Sequence, residues 1–122
     1  MIARFTVLIV VVFSLSGCAT PSKYQWGRYE SSLYSHYKNP ADQEQFAENL
    51  AATIAKGEQT GAVPPGIYAE YGYVLYSIGR NADAISYFEK EKKTWPESAL
   101  LMDKMIVSTK KTAGKAATEK GK

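Results

Sequence analysis

Hydrophobic positions between Pro65 and Pro96 recur at steps of three and four residues, which is the spacing of one face of an α-helix. The first stripe consists of Tyr68, Tyr71, Gly72, Leu75 and Tyr76. The second consists of Ala84, Ile85, Tyr87, Phe88 and Trp95. Gly79 interrupts the pattern between them, and Gly supplies the left-handed residue that ends many helices. The stretch therefore predicts two helices joined by a tight turn, the second of which stops at Pro96.

The rest of the chain carries weaker versions of the same pattern. Aromatic residues at helical spacing fill residues 23–38 until Pro40 stops them, and Asp42 can cap a second helix, which Gly57 closes. Pro65 suits the start of a third helix, because the missing N–H of proline costs nothing there. Together these patterns predict an all-α fold of about five helices, with hairpins at residues 23–57 and 65–95 and a capping helix at residues 97–112.

The N-terminal residues have the composition of an export signal. One positive charge at Arg4 precedes an apolar run over residues 5–13, which is shorter than the roughly 20 residues of a membrane-spanning helix. The sequence Leu15-Ser16-Gly17-Cys18 then resembles the bacterial lipobox, in which small residues precede a Cys that is lipidated and becomes the mature N-terminus. The resemblance implies a signal peptide over residues 1–17 and a lipid anchor with a short spacer over residues 18–22. An ordinary secretory signal or a short membrane anchor is the alternative.

The residue after Cys18 bears on which membrane receives the anchor. It is Ala19 and not Asp, the residue that resembles an inner-membrane retention signal. The resemblance therefore implies an outer-membrane lipoprotein that faces the periplasm. The spacer is short, so the folded domain is expected close to the membrane surface and within reach of a partner embedded there.

Charge is unevenly divided along the chain. Residues 104–122 hold 6 basic residues and 1 acidic residue, whereas residues 18–103 hold 8 basic and 11 acidic ones. From about Ala113 the sequence has no apolar stripe to bury, so residues 113–122 are predicted to form a basic, disordered tail. Such a tail can serve only for solubility, or it can contact anionic lipid or the cell wall. Nucleic acid is not expected as a partner of an exported protein.

The stretch from Pro65 to Pro96 resembles one tetratricopeptide repeat, a helical hairpin of 34 residues. Positions of the repeat pattern, which in this fold form the hairpin core, fall on Tyr68, Tyr71, Gly72, Leu75, Ala84, Phe88 and Pro96. Gly72 and Ala84 are small, so they are expected to let the two helices approach closely. The sequence departs from the pattern at Glu91, where the family has Ala, and looser packing is expected there.

In repeats of this kind the first helix of each hairpin lines a concave face that binds partners. Carried over position by position, the resemblance implies a groove lined by Ala69, Tyr73, Tyr76 and Ser77. Tyr34 and Tyr37 would extend the same face from the first hairpin. Tyrosine suits such a surface, since its ring packs while its hydroxyl stays hydrated, although plain surface packing is the alternative.

Catalytic and metal-binding patterns are weak. The chain has 1 His and 1 Cys, so a Cys/His metal cluster cannot form, and we expect neither a metal nor a cofactor. His36 follows Ser35 directly, and adjacent residues on a helix point about 100° apart, so they do not form a nucleophile–base pair. A non-catalytic role is therefore predicted.

The whole outline of lipobox, short spacer, Tyr-rich hairpins and basic end is similar to a small family of bacterial lipoproteins encoded beside curli-transport-like (CsgG-like) lipoproteins. This resemblance implies an adaptor or assembly factor of an envelope secretion or cell-surface assembly complex. Its partners would be proteins at the outer membrane, with a CsgG-like lipoprotein among the candidates. A pilotin-like factor that carries a pore-forming subunit to the outer membrane, a cell-wall-associated binding protein and an envelope-bound enzyme are the alternatives.

Overall fold

The computed structural model describes residues 21–120, and this part of the chain is helical with no strand. Cys18 and the predicted signal peptide over residues 1–17 lie outside the described range. The all-α fold of about five helices is confirmed. A single turn of 3-10 helix at Pro96–Ser98 leads into the last helix. The five α-helices are α1 (Tyr29–Lys38), α2 (Gln43–Thr60), α3 (Ile67–Ser77), α4 (Asn81–Thr94) and α5 (Ala99–Lys120).

Each helix packs against its neighbours in the chain, and the α3–α4 contact is the most extensive. One continuous core runs through the stack. Its largest fully buried side chains include Leu50 of α2, Leu75 of α3, Phe88 of α4 and Met102 of α5. Because α2 to α5 share this core and α1 packs the partly buried Tyr29 against it, no hairpin is stabilised independently of the next one.

The α3–α4 contact depends on a glycine. A Cβ atom built on Gly72 would lie 2.8 Å from Cε1 of Phe88 and 3.2 Å from the carbonyl oxygen of Ala84. Ala84 itself is completely buried. The predicted close approach of these two helices at Gly72 and Ala84 is therefore present. Of the seven predicted core residues, six are buried, whereas Pro96 is exposed at the start of the 3-10 turn.

The turn between α3 and α4 also follows the prediction. Gly79 has φ +83°, the left-handed conformation that residues with a Cβ rarely adopt. The Arg80 N–H donates a hydrogen bond to the Leu75 carbonyl oxygen at 2.8 Å, which satisfies a carbonyl group at the end of α3.

The first hairpin differs from the prediction at both ends. α1 begins at Tyr29 and not near Lys23, because Gly27 adopts φ +55°. The residues before Gly27 contact the loop after α2 instead. There the Gln25 N–H donates a hydrogen bond to the Ala62 carbonyl oxygen at 2.9 Å. Gly57 does not close α2. The helix continues to Thr60 and ends at Gly61, which has φ +64°.

Gly57 does not end α2 as was predicted, but allows a close packing contact. It is buried inside α2, and a Cβ atom there would lie 2.8 Å from Cα of Val63. The chain can therefore fold back tightly against the end of α2. Asp42 is the residue before α2 as predicted, but its side chain makes no capping hydrogen bond. α3 begins at Ile67 after Gly66, two residues later than the predicted start at Pro65.

Glu91 packs differently from the prediction. Its side chain is buried at 2% exposure, and its Oε1 accepts a hydrogen bond from the Gly66 N–H at 2.9 Å, so a carboxyl group of α4 caps the start of α3. Burial raises the pKa of Glu91, and backbone donors at the start of α3 offset this effect in part. The side chain thus ties α3 to α4, where looser packing had been expected.

Helix α5 continues through Lys120, beyond the point at which we predicted disorder. Residues 114–119 are all exposed, so packing does not hold this part of the helix. Its sequence is rich in Ala and Lys, which favour helix, and no proline interrupts it. The predicted tail of residues 113–122 is therefore helical over the described residues 113–120.

The close contact at Gly72 predicts that replacing glycine by alanine changes the stability in opposite directions at Gly72 and at Gly114. Gly72→Ala should destabilise the protein by about 1–3 kcal/mol, because the added methyl overlaps the Phe88 ring. Gly114→Ala should stabilise it by about 0.5–1 kcal/mol, because position 114 is an exposed helical site with nothing within 4 Å. Urea unfolding of both variants measures the two effects. A Gly72→Ala protein as stable as the wild type would contradict the close contact.

The buried carboxyl group gives a prediction about pH. The pKa of Glu91 in the folded state lies above its ordinary value of 4.5. The contribution of the Glu91 carboxyl group to the free energy of unfolding is therefore full below pH 4.5 and is lost as the pH rises through the folded-state pKa. Glu91→Gln has no ionisable group at this position, so it does not lose stability in this way. The stability of the variant relative to wild type should therefore increase between about pH 4 and about pH 7. Urea unfolding at both pH values tests this, with Glu89→Gln on the exposed face of α4 as the control for lost charge. Parallel profiles for wild type and Glu91→Gln would refute it.

Candidate functional site

A cleft of about 200 Å³ lies between α1, the start of α2 and α3. Its walls come from three consecutive helices. The lining residues are Leu33 and His36 of α1, Gln43 and Phe46 of α2, and Glu70, Tyr73, Val74 and Ser77 of α3.

Apolar surface is exposed on two walls of this cleft. Leu33 is 39% exposed on the α1 side and Tyr73 is 55% exposed on the α3 side. Single exposed apolar side chains are common on protein surfaces, but here two of them line one concavity. Such a pair can receive an apolar side chain of another molecule.

Polar contacts join the helices that form the cleft. The Tyr29 hydroxyl of α1 donates a hydrogen bond to Oε2 of Glu70 on α3 at 2.7 Å. Burial raises the pKa of Tyr29 to about 12, and the hydrogen bond to the Glu70 carboxylate adds to the effect. The phenol therefore stays protonated at neutral pH and remains the donor.

A second polar contact lies at the C-terminal end of α3. The Ser77 hydroxyl lies 2.8 Å from Oε1 of Gln43 on α2 and 2.7 Å from the carbonyl oxygen of Val74. A hydroxyl has one proton, so it donates to one of these two acceptors at a time. Together with the Tyr29–Glu70 bond, this contact fixes the position of α3 against the first hairpin.

His36 lies at the floor of the cleft in a packed position. Its ring stacks on that of Phe46 with the centroids 4.4 Å apart and the planes 5° from parallel. Its Nδ1 is buried and has no hydrogen-bond partner within residues 21–120. The Ser35 hydroxyl donates to the Ser31 carbonyl oxygen.

Only two of the six residues predicted for the groove line the cleft, namely Tyr73 and Ser77. Tyr76 is half-buried, and its hydroxyl lies 3.2 Å from Oγ1 of Thr112, so it joins α3 to α5. Ala69 is half-buried and packs against the core.

Tyr34 and Tyr37 are exposed at 62% and 77%, but neither lines the cleft. For Tyr34 the reason is the rotation of α1, because Leu33 lines the cleft and the next residue along a helix points about 100° away. Tyr37 follows Leu33 by four residues and shares its face, but it lies at the last turn of α1 and outside the cleft. The Tyr34 ring is turned towards the Nζ of Lys38, which lies 5.6 Å from the ring centroid.

Six of the eight lining residues were not predicted for the groove, namely Leu33, His36, Gln43, Phe46, Glu70 and Val74. A signal for Glu70 was present, since Glu70, Tyr73 and Ser77 follow one another at helical steps of three and four residues. Gln43 had no local signal, because its place in the site depends on how α2 packs against α3.

Two larger concave surfaces lie elsewhere. One of about 520 Å³ opens between the N-terminal segment and the end of α4, beside Tyr24, Tyr68 and Trp95. There Glu58 accepts hydrogen bonds from Lys90 and Tyr68, and these contacts lower the pKa of Glu58. The other, of about 450 Å³, is a shallow apolar surface on α5 that includes Leu100 and Val107.

Within residues 21–120, no group of three His, Cys, Asp or Glu side chains is arranged to hold a metal ion. None of the helices in the same part of the chain combines the length and the hydropathy that a membrane span requires.

The fold and the cleft define a small all-α domain of consecutively packed helices. A family model described as "Domain of unknown function (DUF4810)" matches residues 23–105, and the chain belongs to this family. The matched region includes α1 to α4 and the first turns of α5. No curated protein and no solved structure matches the chain.

Proposed function

We propose that this chain is a non-catalytic lipoprotein of the outer membrane that acts as a helical-repeat adaptor or assembly factor in an envelope secretion or cell-surface assembly complex. It binds a protein partner in the cleft between α1 and α3. The observation that carries this proposal is the exposure of Leu33 and Tyr73 in one concavity whose helices are joined by hydrogen bonds.

The size and the lining of the cleft favour a protein partner over a small molecule. Small-molecule sites enclose roughly 300–1,000 Å³, whereas this cleft has about 200 Å³. That volume suits one or two side chains of a partner. A half-exposed Tyr beside an aliphatic residue is also the composition of many interface centres, where a rigid ring buries a large area at a low cost in entropy.

The envelope location rests on the sequence before the domain. The lipobox-like residues Leu15 to Cys18 lie outside the described residues, and the family match begins at Lys23, directly after the proposed spacer. This boundary supports a division into a removed signal, an anchor and a folded domain. The resemblance to lipoproteins encoded beside CsgG-like lipoproteins supports a partner in the same membrane.

The cleft gives a prediction about partner binding. Tyr73→Ala combined with Leu33→Ser should leave helicity unchanged, since both side chains are substantially exposed, but should abolish crosslinking to the membrane partner that wild type crosslinks. Tyr37→Ala is the matched control, because Tyr37 is more exposed and lies outside the cleft. Mass spectrometry of the crosslinked complexes compares the three proteins. Equal crosslinking of the double variant would exclude the cleft as the binding site.

The proposed anchor gives a separate prediction. Cys18→Ser removes the thiol that would accept the lipid, so the variant should accumulate as an unprocessed precursor or leave the membrane fraction. Fractionation of cell envelopes with labelled palmitate measures both outcomes. Unlabelled wild type, or unchanged outer-membrane fractionation of the variant, would contradict the lipid anchor.

A further inference from the structure

Exposed apolar side chains gather at one end of the helix stack, which we call the anchor-proximal end and define as residues 21–25, 58–66 and 94–101. Leu100 is 72% exposed and Leu101 is 59% exposed at the start of α5. Tyr24 and Trp95 are half-buried at the same end, with ring centroids 5.9 Å apart in an edge-to-face arrangement.

One backbone hydrogen bond and one contact between aromatic rings place the N-terminal segment at this same end. The Gln25 N–H bonds to the Ala62 carbonyl oxygen, and the Tyr24 ring packs on Trp95. Cys18, the proposed lipid attachment point, precedes Lys23 by five residues. Five extended residues span at most about 18 Å. An acylated Cys18 would therefore hold the anchor-proximal end within that distance of the lipid headgroups.

We propose that the anchor-proximal end rests on the phospholipid surface, with Leu100 and Leu101 in the headgroup layer. This inference rests on the lipid anchor of the proposed function. Trp95 precedes Leu100 by five residues and reports on this end, whereas its own Nε1 is buried and does not face the lipid. The exposed leucine pair supplies apolar area that no residue within the described range covers.

Apolar contact and not charge attraction holds this end to the surface. Its exposed charges balance, with Lys23 against Glu97, and the Glu58 carboxylate pairs with Lys90 of α4. Of the basic residues of α5, Lys104 lies one turn beyond Leu100, and the others lie further along the helix. Lys110 and Lys115 follow Leu100 by ten and fifteen residues, which is about 15 and 22 Å further along the helix axis. When the anchor-proximal end faces the membrane, the basic C-terminal half of α5 therefore points away from it.

The test uses the full acylated protein in vesicles of phosphatidylethanolamine and phosphatidylglycerol, with and without acyl chains brominated near the carboxyl end. Bromine quenches tryptophan only at short range. The chain has 2 tryptophans, so Trp26→Phe leaves Trp95 as the single probe of the anchor-proximal end. A matched control combines Trp26→Phe and Trp95→Phe with Tyr37→Trp, which puts the single probe near the opposite end of α1.

The expected result is strong quenching of Trp95 and little quenching at position 37. The quenching of Trp95 should persist when phosphatidylglycerol is omitted, and it should be reduced by Leu100→Ser with Leu101→Ser. Because both leucines are exposed, that variant should keep its helicity, which circular dichroism checks.

The results that would contradict the end-on contact can be told apart from those that would contradict the lipid anchor. Vesicle flotation without quenching of Trp95, or equal quenching at both positions, would overturn the end-on contact and leave the lipid anchor intact. Loss of Trp95 quenching without phosphatidylglycerol would also overturn it, in favour of electrostatic attachment. Failure of the acylation-competent protein to float with vesicles would instead refute the anchor itself and the inference with it.

Discussion

The contact between Gly72 and the Phe88 ring fixes the relation of α3 to α4, and the rest of the domain is built on that pair. The absence of a side chain at position 72 lets the ring lie against the backbone of α3. At that separation the Tyr71 and Tyr87 rings meet edge-to-face with centroids 4.5 Å apart, and Glu91 reaches the first N–H groups of α3. These contacts all require the same short distance between the helices, so they reinforce one another.

The cleft uses the other side of α3. One side of the helix packs against α4, while Glu70, Tyr73 and Ser77 turn towards the first hairpin. A helix held on one side by a close contact and on the other by hydrogen bonds has little freedom to rotate. The proposed partner would therefore meet a preformed surface, which lowers the entropy lost on binding.

Local patterns in the sequence predicted the central hairpin because its determinants are local. The spacing of Tyr68, Gly72 and Leu75 marks the buried face of α3, and Gly79 marks the turn. The roles of Gly57 and Glu91 could not be predicted in this way. Each depends on a segment packed against it from another part of the chain, Val63 in one case and Gly66 in the other.

The same limit applied to the site, whereas the end of α5 was missed for a different reason. Tyr73 and Ser77 were predicted from their positions within α3, but the rotation of α1 depends on contacts between helices, such as the Tyr29–Glu70 bond, that local spacing does not encode. As a result Tyr34 was assigned to a face that Leu33 occupies, and Tyr37 to a cleft that does not extend to the last turn of α1. The helical end of α5 was missed because we required a buried stripe, whereas helix propensity alone accounts for residues 113–120.

The central claim is that α3 and α4 are in contact where Gly72 faces Phe88, and nuclear Overhauser spectroscopy of the labelled protein in solution tests it directly. The account predicts strong cross-peaks between the α-protons of Gly72 and the ring protons of Phe88. The absence of those cross-peaks in a folded protein with both residues assigned would contradict the contact and the arrangement of the cleft that depends on it.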